Sequence, residues 1–581
     1  MKRLLLAITV LFSAAFSNAQ MLPVGWAPGE KEQMPFYLDQ FDEKAPGFTA
    51  APAGKLRNMG QWEEIEGLVI TWTSFPGIHR EIIKYAQTEC KVYIVCSDSN
   101  AVRNSLINNN IPITTNIKYV VTPFNSIWAR DYSANPVYIN DVDSLIYVDW
   151  VYNRPRPKDD TTCRAIAAKA GMALFQTSAE PNKLIHTGGN YMSDGLGTAF
   201  SSELILDENP TKTEAQIDTI MKKYMGINRY IKMETLPYDG IHHIDMHMKL
   251  LDEQTLLVGE YAQGEADGPQ IEANINYVMS NFNSYFGTPY KLVRIPQPPD
   301  NGGDYPDNNG DYYTYTNAVF VNKTLLLPIY GNAYDTTAIR ILKENLPGYR
   351  VIGIPCTDII QQSGAIHCIT NSFGVKEPLL IVHQKLEDTY NYQTPYVVNA
   401  RMQHKSGIQS GRVYWTTDTT QAWQSAVMTN TDVLNNIWSA NIPAQLPTTR
   451  IFYYIEGQAN SGKMQVRPIT APTGFWNFKI LGDPIDTTTS IKPMVIDAQA
   501  MQPYPNPANA ITCIPVYAKG STNAHIYITD ILGQKVADLH NGDIPAGTSN
   551  YFINAATLSQ GMYLVTVETP RTRNTVKLMV R

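Results

Sequence analysis

The chain of 581 residues contains only six cysteines, and this small number excludes a fold held together by disulfide bonds. It also lacks a net positive charge: 46 basic and 53 acidic residues give −7, which excludes nucleic-acid binding through bulk charge. Only 17% of the residues are charged and 44% are apolar, a composition that excludes intrinsic disorder. After Phe16 no apolar run reaches the roughly 20 residues of a membrane-spanning helix, so we expect no transmembrane segment.

The N-terminus has the pattern of a secretory signal peptide at residues 1–19. Lys2 and Arg3 precede an apolar run from Leu4 to Phe16, and Ser17-Asn18-Ala19 provides the small residues of a cleavage site. The 34 tyrosines, 37 glycines and 37 prolines favour a strand- and turn-rich exported protein. We therefore predict export, with Gln20 as the first residue after processing.

The remaining length is too great for one compact core, so we predict several domains. Residues 46–375 mix apolar strands with helix-like patterns at Gly77–Gln87 and Glu214–Met225, which indicates an α/β catalytic domain. Residues 376–482 contain short β runs between turns, which predict an immunoglobulin-like β-sandwich. We assign residues 483–498 to a linker, and we leave open whether residues 20–45 are removed after export.

Residues 499–581 read as a small antiparallel β-sandwich, with alternating apolar residues between Gly, Asn and Pro. They contain PYPNPA, then DILGQKV, then GMYLV, and they end with KLMVR. These ordered motifs resemble the C-terminal sorting domain of the type IX secretion system. The resemblance implies that the type IX machinery is a partner and that the protein is secreted or attached to the outer-membrane surface.

Polar clusters recur along the catalytic region at near-constant spacing. The steps between the chosen residues are 59, 55, 59 and 64 positions, as expected for a repeated unit around an axis. The chosen residues are Asp131, Asn190, Asp245, Asp304 and Cys368. The neighbouring glycine pairs suit a backbone that turns sharply or approaches a ligand.

The residue types in these clusters point to chemistry on a guanidinium group. Two carboxylates, Asp131 and Asp245, match the paired donors of a planar guanidinium. Cys368 is a candidate nucleophile, because a cation bound beside a thiol lowers its pKa. His243 is suited to protonating a leaving amine and then activating water. Together these groups predict attack on a guanidinium carbon.

The motifs WARD, GGN, HHID, GGDYPDNN and GAIHC, in this order, resemble the guanidino-group-modifying enzymes, or pentein superfamily. Within that superfamily they are most similar to the secreted peptidylarginine deiminases of the Porphyromonas type. The resemblance implies a five-bladed pseudo-symmetric α/β propeller that converts peptide arginine to citrulline and ammonia through a covalent thiouronium. It also implies that no metal or organic cofactor is needed.

The same resemblance assigns roles to individual residues. It implies Cys368 as the nucleophile, His243 as the general acid and base, and Asp131 and Asp245 as the guanidinium ligands. It adds Asn317 as a polar residue near the reacting centre. Trp128 is implied as a wall of the substrate pocket, and we place Ile241, which opens IHHIDMH, among the substrate-binding residues.

Arg154 and Arg156, in YNRPRP, bear on the substrate. Two guanidinium groups on a proline-stiffened loop are suited to clamping a carboxylate. The family resemblance implies that arginines at this motif hold the α-carboxylate of a C-terminal arginine. We therefore expect a preference for peptides that end in arginine over peptides with internal arginine.

Several alternative readings stay open. The other five cysteines are expected to be structural, since cysteine is among the most buried residue types. A zinc site formed by His242, His243, Asp245 and His247 is the alternative for HHIDMH. A strand disfavours it, because alternation would place only His243, Asp245 and His247 on one face. The rival functions are an agmatine or free-arginine deiminase or amidinotransferase, a secreted cysteine protease, and a surface binding protein with an inactive propeller.

Overall fold

The computed structural model describes residues 21–41, 48–482 and 497–581. The predicted signal peptide and nearly all of the predicted linker lie outside these residues. None of the helices in the described ranges is long and apolar enough to cross a membrane.

Five separate small sheets contain all but two of the strands between residues 56 and 374. Sheet 1 contains Thr370–Gly374, Ile65–Thr71, Lys91–Cys96 and Ile117–Val121, and sheet 2 contains Leu56–Asn58, Asn135–Ile139, Ser144–Asp149 and Ala173–Gln176. Sheet 3 contains Met192–Ser193, Thr198–Ser202 and Arg229–Met233; sheet 4 contains Met248–Asp252, Thr255–Glu260 and Lys291–Pro296; and sheet 5 contains Val319–Val321, Thr324–Ile329 and Arg350–Pro355. Val151–Tyr152 and Ile185–His186 form a further short parallel pair.

Each sheet repeats one unit. A strand that we call the opening strand runs antiparallel to a central strand, and a helix then connects the central strand to a parallel third strand. The opening strands are Asn135–Ile139, Met192–Ser193, Met248–Asp252, Val319–Val321 and Thr370–Gly374. The connecting helices are Pro76–Ala86, Pro157–Ala170, Glu214–Met225, Gly268–Asn281 and Tyr334–Asn345. The region from residue 56 to 374 is therefore a mixed α/β domain, as the sequence predicts.

The helix Glu214–Met225 shows how local sequence fixes these elements. Thr213 and Gln216 form a reciprocal capping box at its start, and Gly226, at φ 72°, ends it in the left-handed conformation. Its apolar residues recur at helical spacing and are buried against sheets 2 and 3: Ile217, Ile220, Met221, Tyr224 and Met225. The predicted helices are confirmed here and at Pro76–Ala86, one residue from the expected bounds.

The described residues also form several further helices. They are the α-helices Glu30–Phe41, Ser99–Asn108, Ala129–Tyr132, Leu204–Asp207 and Thr357–Ile360, and the 3₁₀ turns Gly188–Asn190, Ile244–Met246, Pro306–Asn308 and Ala555–Thr557.

The region after the catalytic domain is all β. Its strands are Leu380–Val382, Tyr396–Gln403, Ile408–Thr416, Gln424–Asp432, Ile437–Ile442, Arg450–Ala459, Met464–Arg467 and Trp476–Lys479. They form one antiparallel eight-stranded array around a core of their own. The assignment of this array to the immunoglobulin-like class stays a prediction.

The C-terminal region contains two antiparallel sheets over a third core. One sheet contains Ala498–Ala500, Ile511–Ala518 and Gly547–Asn554, and the other contains Thr522–Asp530, Lys535–Ile544, Gly561–Glu568 and Arg573–Val580. This arrangement is the small β-sandwich that the sequence indicates.

Candidate active site

Polar side chains stand in the turns that lead into the five opening strands. In chain order these residues are Asp131, Asn190, Asp245, Asn317 and Cys368. The prediction that Asp304 is the fourth member of this set is wrong. Asp304 is exposed in a loop, where its Oδ1 accepts a hydrogen bond from Asn308 Nδ2 at 2.8 Å. Near-constant spacing favoured Asp304, but loop lengths between the units differ, and the position equivalent to the others belongs to Asn317.

Close backbone approach explains the glycine pair Gly188-Gly189. A Cβ on Gly189 would lie 2.4 Å from Nδ1 of His243 and 2.9 Å from Oδ1 of Asp131. A Cβ on Gly188 would lie 2.0 Å from the carbonyl oxygen of Arg130. Any larger residue would displace the side chains of the site, so these positions need glycine.

Cys368 lies fully buried at the centre of this group. Its Sγ accepts a hydrogen bond from Asn317 Nδ2 at 3.2 Å, and its thiol faces Oδ2 of Asp245 at 3.7 Å. Asn317 Oδ1 in turn accepts the backbone N–H of His367 at 3.0 Å, which fixes the turn that carries the thiol. Burial, and then the charges of Asp245 and Asp131, raise the pKa of Cys368 well above that of a free thiol.

Asp245 is the end of a buried hydrogen-bond chain. His367 Nδ1 lies 2.6 Å from Asp245 Oδ2, His367 Nε2 lies 3.2 Å from Gln61 Oε1, and Lys249 Nζ donates to the same Oε1 at 2.8 Å. Gln61 Oε1 can only accept a hydrogen bond, so Nε2 of His367 carries a hydrogen. The short contact between His367 Nδ1 and Asp245 Oδ2 needs one further proton, which either of these two atoms can carry. Burial, followed by the charge of Asp131, raises the pKa of Asp245 well above the usual range, which favours keeping that proton.

Asp131 and His243 face each other on the other side of the thiol. Nδ1 of His243 lies 3.6 Å from Oδ1 of Asp131, which also accepts the backbone N–H of Gly189 at 3.0 Å. Burial raises the pKa of Asp131 to about 6 and lowers the pKa of His243 well below that of a free imidazole. His243 is therefore neutral at pH 7 and able to take up a proton.

The site contains buried polar atoms without a protein partner. Within the described residues, Asp131 Oδ2, Asp245 Oδ1 and both ring nitrogens of His243 make no hydrogen bond. All three side chains are 1% exposed. Because an unsatisfied buried polar atom is costly, such a group indicates a place where a ligand supplies the missing partners. Donors are missing for two carboxylates, so a cation with several N–H groups fits.

Besides Asp131 and Asp245, the four other predicted substrate-binding residues are also buried. Trp128 and Arg156 are 0% and 1% exposed, and Arg154 and Ile241 are 3% and 4% exposed. Residues Met21–Phe41, which we call the N-terminal segment, contact all four of them.

The motif HHIDMH forms a turn and not the strand that we expected. His242 has φ 56°, and Ile244–Met246 form a 3₁₀ turn. Asp239 closes this turn by accepting the backbone N–H groups of Ile241 and His243 at 3.1 and 2.9 Å. His247 is buried, but its ring nitrogens make no hydrogen bond in the part of the chain described.

Sequence reasoning assigned no role to the hydrogen-bond chain behind Asp245. His367 had a usable signal, because it stands beside Cys368 in GAIHC. Gln61 and Lys249 had none, since neither lies in a recognisable motif and the fold alone brings them to His367. No group of three or more His, Cys, Asp or Glu side chains in the described ranges is arranged to hold a metal ion.

The family model for Porphyromonas-type peptidyl-arginine deiminase matches residues 62–373, which is more than half of the chain. The chain belongs to this deiminase family. The match covers all five residues at the opening strands, so the polar centre around Cys368 lies within the deiminase domain. The chain is therefore a deiminase of the family that modifies guanidino groups.

Relatives of this deiminase domain include named agmatine deiminases. A "Putative agmatine deiminase" of Shewanella sp. (strain W3-18-1) is 25% identical over 351 residues, which cover 53% of this chain and 92% of the relative. A solved structure of a "putative agmatine deiminase" is 20% identical, covers 56% of this chain and 99% of its own, and superposes with a TM-score of 0.50. A structure described as the "Putative Arginine Deiminase from Porphyromonas gingivalis" has 19% identity and a TM-score of 0.48, with 55% and 98% coverage. The likeness to the structure with the TM-score of 0.50 shows the fold of the domain.

The C-terminal sandwich matches a second family model. Residues 502–581 match the secretion system C-terminal sorting domain. This deiminase is therefore secreted or attached to the outer-membrane surface.

Proposed function

We propose that the protein is a secreted peptidylarginine deiminase that converts peptide arginine, preferably at a C-terminus, to citrulline and ammonia. One observation carries the reaction class: two buried carboxylates and a histidine leave unpaired atoms around the buried thiol of Cys368. A guanidinium offers N–H donors in a plane that suits two carboxylates. We assign its binding to Asp131 and Asp245.

We also propose that the five sheets are the blades of a pseudo-symmetric five-bladed α/β propeller, followed by an immunoglobulin-like domain. The repeated unit of each sheet supports this fold, as does the position of one polar residue before each opening strand. Such an arrangement would bring residues from five distant parts of the chain to one axis.

In the first half of the reaction, Cys368 is the nucleophile. Its Sγ forms a bond to the central guanidinium carbon, and His243 takes the thiol proton and passes it to the departing nitrogen. The carbon–nitrogen bond then breaks and ammonia leaves, which gives a cationic thiouronium on Cys368. Asn317, which donates to Sγ at 3.2 Å, holds the sulfur in place for this attack.

In the second half, water replaces the sulfur. His243 removes a proton from the water as its oxygen bonds to the thiouronium carbon, and the carbon–sulfur bond breaks. The products are citrulline, the restored Cys368 thiol and one proton. No redox partner or metal is part of this sequence.

The raised pKa of Cys368 decides how the nucleophile forms. Since burial and the two carboxylates keep the thiol protonated, we infer that the substrate cation triggers its deprotonation. The bound guanidinium offsets the negative charge of Asp131 and brings a positive charge beside the thiol, which favours the thiolate.

Arg154 and Arg156 support a peptide substrate over agmatine. Both are buried, and a buried guanidinium needs a carboxylate or carbonyl partner. A peptide that ends in arginine offers a carboxylate, whereas agmatine has none. We therefore assign the two residues to the α-carboxylate of the substrate.

The test is citrulline and ammonia release from a peptide ending in arginine, the same peptide with internal arginine, free arginine and agmatine, each with and without a chelator. Within each variant, kcat/KM for the C-terminal-arginine peptide is divided by kcat/KM for agmatine. We expect Arg154→Ala and Arg156→Ala to lower this ratio by at least about tenfold, through loss of charge-assisted hydrogen bonds.

Lys158→Ala is the matched control, because Lys158 is a cation on the same loop-to-helix junction but is exposed. A ratio that is unchanged in both arginine variants contradicts the peptide assignment. Activity on agmatine alone makes the protein an agmatine deiminase, and activity on no substrate favours a surface binding protein.

A further inference from the structure

The N-terminal segment provides all the hydrogen-bond partners that the structure shows for the side chain of Arg156. Nε and Nη2 of Arg156 donate to the two carboxylate oxygens of Glu30 at 2.8 and 2.9 Å. Nη2 also donates to the backbone carbonyls of Pro23 and Gly25 at 2.8 and 3.0 Å. A bidentate arginine–carboxylate pair of this kind is the arrangement expected for a substrate carboxylate at the same guanidinium.

The N-terminal segment makes three further contacts with residues assigned to substrate binding. Trp26 stacks on the guanidinium of Arg154, whose Cζ lies 4.2 Å from the ring centroid. The indole Nε1 of Trp128 donates to the carbonyl of Leu22 at 2.9 Å. The backbone at Gly25 passes Ile241, since a Cβ on Gly25 would lie 3.6 Å from Cγ2 of that residue. The segment therefore contacts all of the residues assigned to substrate binding other than Asp131 and Asp245.

The segment is also fixed to the domain away from the cleft. Val24 is 1% exposed and belongs to the main apolar core. Tyr37 donates its hydroxyl hydrogen to Asp160 Oδ2 at 2.6 Å, and Lys183 Nζ donates to the carbonyl of Leu38 at 3.1 Å. The segment is thus a folded part of the domain along its length.

With the segment in place the reacting groups are closed off from solvent. Cys368 is 0% exposed, and Asp131, His243 and Asp245 are each 1% exposed. On the function proposed above, a substrate peptide contacts Trp128, Arg154 and Arg156, and the segment already contacts these three residues.

We propose that the N-terminal segment is an internal inhibitor that fills the peptide-binding cleft, with the Glu30 carboxylate on Arg156 in place of a substrate carboxylate. This inference rests on the function proposed above. The enzyme is latent while the segment is bound, and displacement or removal of the segment opens the site.

The first test compares Glu30→Ala with Glu32→Ala in the chain that retains the segment. Both are glutamates on the helix Glu30–Phe41, but Glu32 is exposed. If only a small fraction of the wild-type enzyme is open, weakening the segment raises the competent fraction. We expect Glu30→Ala to raise kcat/KM at least about tenfold for both agmatine and peptide, and Glu32→Ala to leave it unchanged.

The second test reads the opening of the site without deiminase activity. Alkylation of Cys368 by iodoacetamide, followed by mass spectrometry, is expected to be at least about tenfold faster in Glu30→Ala than in the wild type. Cys163 and Cys356 are buried elsewhere in the same domain and are internal controls. Faster alkylation of Cys368, Cys163 and Cys356 together would mean that Glu30→Ala unfolds the domain. Trp26→Ala is then the second variant, and the proposal is contradicted unless it speeds the alkylation of Cys368 alone.

The third test supplies the segment as a separate molecule. A synthetic peptide of residues 21–41 is expected to inhibit Glu30→Ala competitively, and the same peptide with Glu30→Gln to inhibit at least about tenfold less. Equal alkylation and equal kcat/KM in the wild type and Glu30→Ala would overturn the proposal. Faster alkylation of Cys368 without deimination of any substrate would support the internal inhibitor and refute the proposed function.

Discussion

Ion pairs join the catalytic domain to the eight-stranded array, whereas each of the two carboxylates beside Cys368 keeps one oxygen without a hydrogen bond in the described residues. Arg467 Nη2 donates to both carboxylate oxygens of Glu253 at 2.9 and 3.0 Å, and Lys463 Nζ donates to those of Glu64 at 2.8 and 2.7 Å. Around the thiol, by contrast, Asp131 Oδ2 and Asp245 Oδ1 have no partner among the described residues. Complementary pairs hold two domains together, while uncompensated groups mark where a ligand completes the set.

The largest expected effect is on the nucleophile. Cys368→Ala removes the atom that bonds to the substrate, so we expect deimination to fall by at least about 10,000-fold. Cys356→Ala is the matched control, because Cys356 is equally buried but, unlike Cys368, its pKa is raised by burial alone and not by the charges of Asp245 and Asp131. Ammonia release measures both, and equal losses in the two variants would contradict the assignment.

Asp131→Asn is expected to lower activity about 1,000-fold and yet to stabilise the fold. Burial raises the pKa of Asp131 from 3.8 to about 6, so the ionised carboxylate costs about 3 kcal/mol at pH 7. Because the pKa of Asp131 is higher in the folded protein than in the unfolded chain, its contribution to the free energy of unfolding is fully present below about pH 4. That contribution is lost as the pH rises through about 6. Urea unfolding at pH 7 should show the increase, and a lower free energy of unfolding would refute it.

Asp252 at the domain contact should behave in the opposite way. Burial opposes its ionisation, but Lys385 outweighs burial and lowers the pKa of Asp252 to about 2. Asp252→Asn is therefore expected to lower the free energy of unfolding at pH 7 by about 2 kcal/mol and to leave kcat/KM unchanged. In the wild type this contribution is lost as the pH falls from about 4 through 2. An unchanged urea midpoint in the variant would remove the contrast between the two carboxyls.

The smallest predicted effect is the pH dependence of the wild-type enzyme. Binding of the guanidinium requires ionised Asp131, whose pKa of about 6 is that of the free enzyme. Since kcat/KM reports groups of the free enzyme, we expect it to fall below pH 6 and to approach a tenfold loss per pH unit. Agmatine is the suitable substrate, as it has no carboxylate that titrates. A flat profile down to pH 5 would contradict the assignment.

Much of this architecture follows from local sequence. The helices Pro76–Ala86 and Glu214–Met225 were predictable from apolar spacing, because an amphipathic helix buries one face whatever it packs against. The close approach of the backbone at the Gly pair 188–189 was also predictable, since only glycine allows the backbone to pass so near to His243 and Asp131.

Other features depended on contacts that the sequence does not encode locally. The turn at HHIDMH depends on the positive φ of His242 and on the carboxylate of Asp239, so alternation alone gave the wrong conformation. The contact between Glu30 and Arg156 joins residues 126 positions apart. From the sequence EKEQ alone, Glu30 would be predicted to be a solvated surface charge. Only the fold of the chain brings it to Arg156.

The opening strand Thr370–Gly374 pairs Thr370 with Ile70, residues separated by 300 positions. The last strand of the catalytic domain thus enters the sheet that the N-terminal part of the domain begins, and it carries Cys368 two residues ahead of it. Synthesis and folding proceed from the N-terminus, and contacts this distant form late because of the entropy of closing long loops. The thiol meets its carboxylates only once the domain is finished, so a partly folded or prematurely ended chain carries no reactive centre while it awaits export.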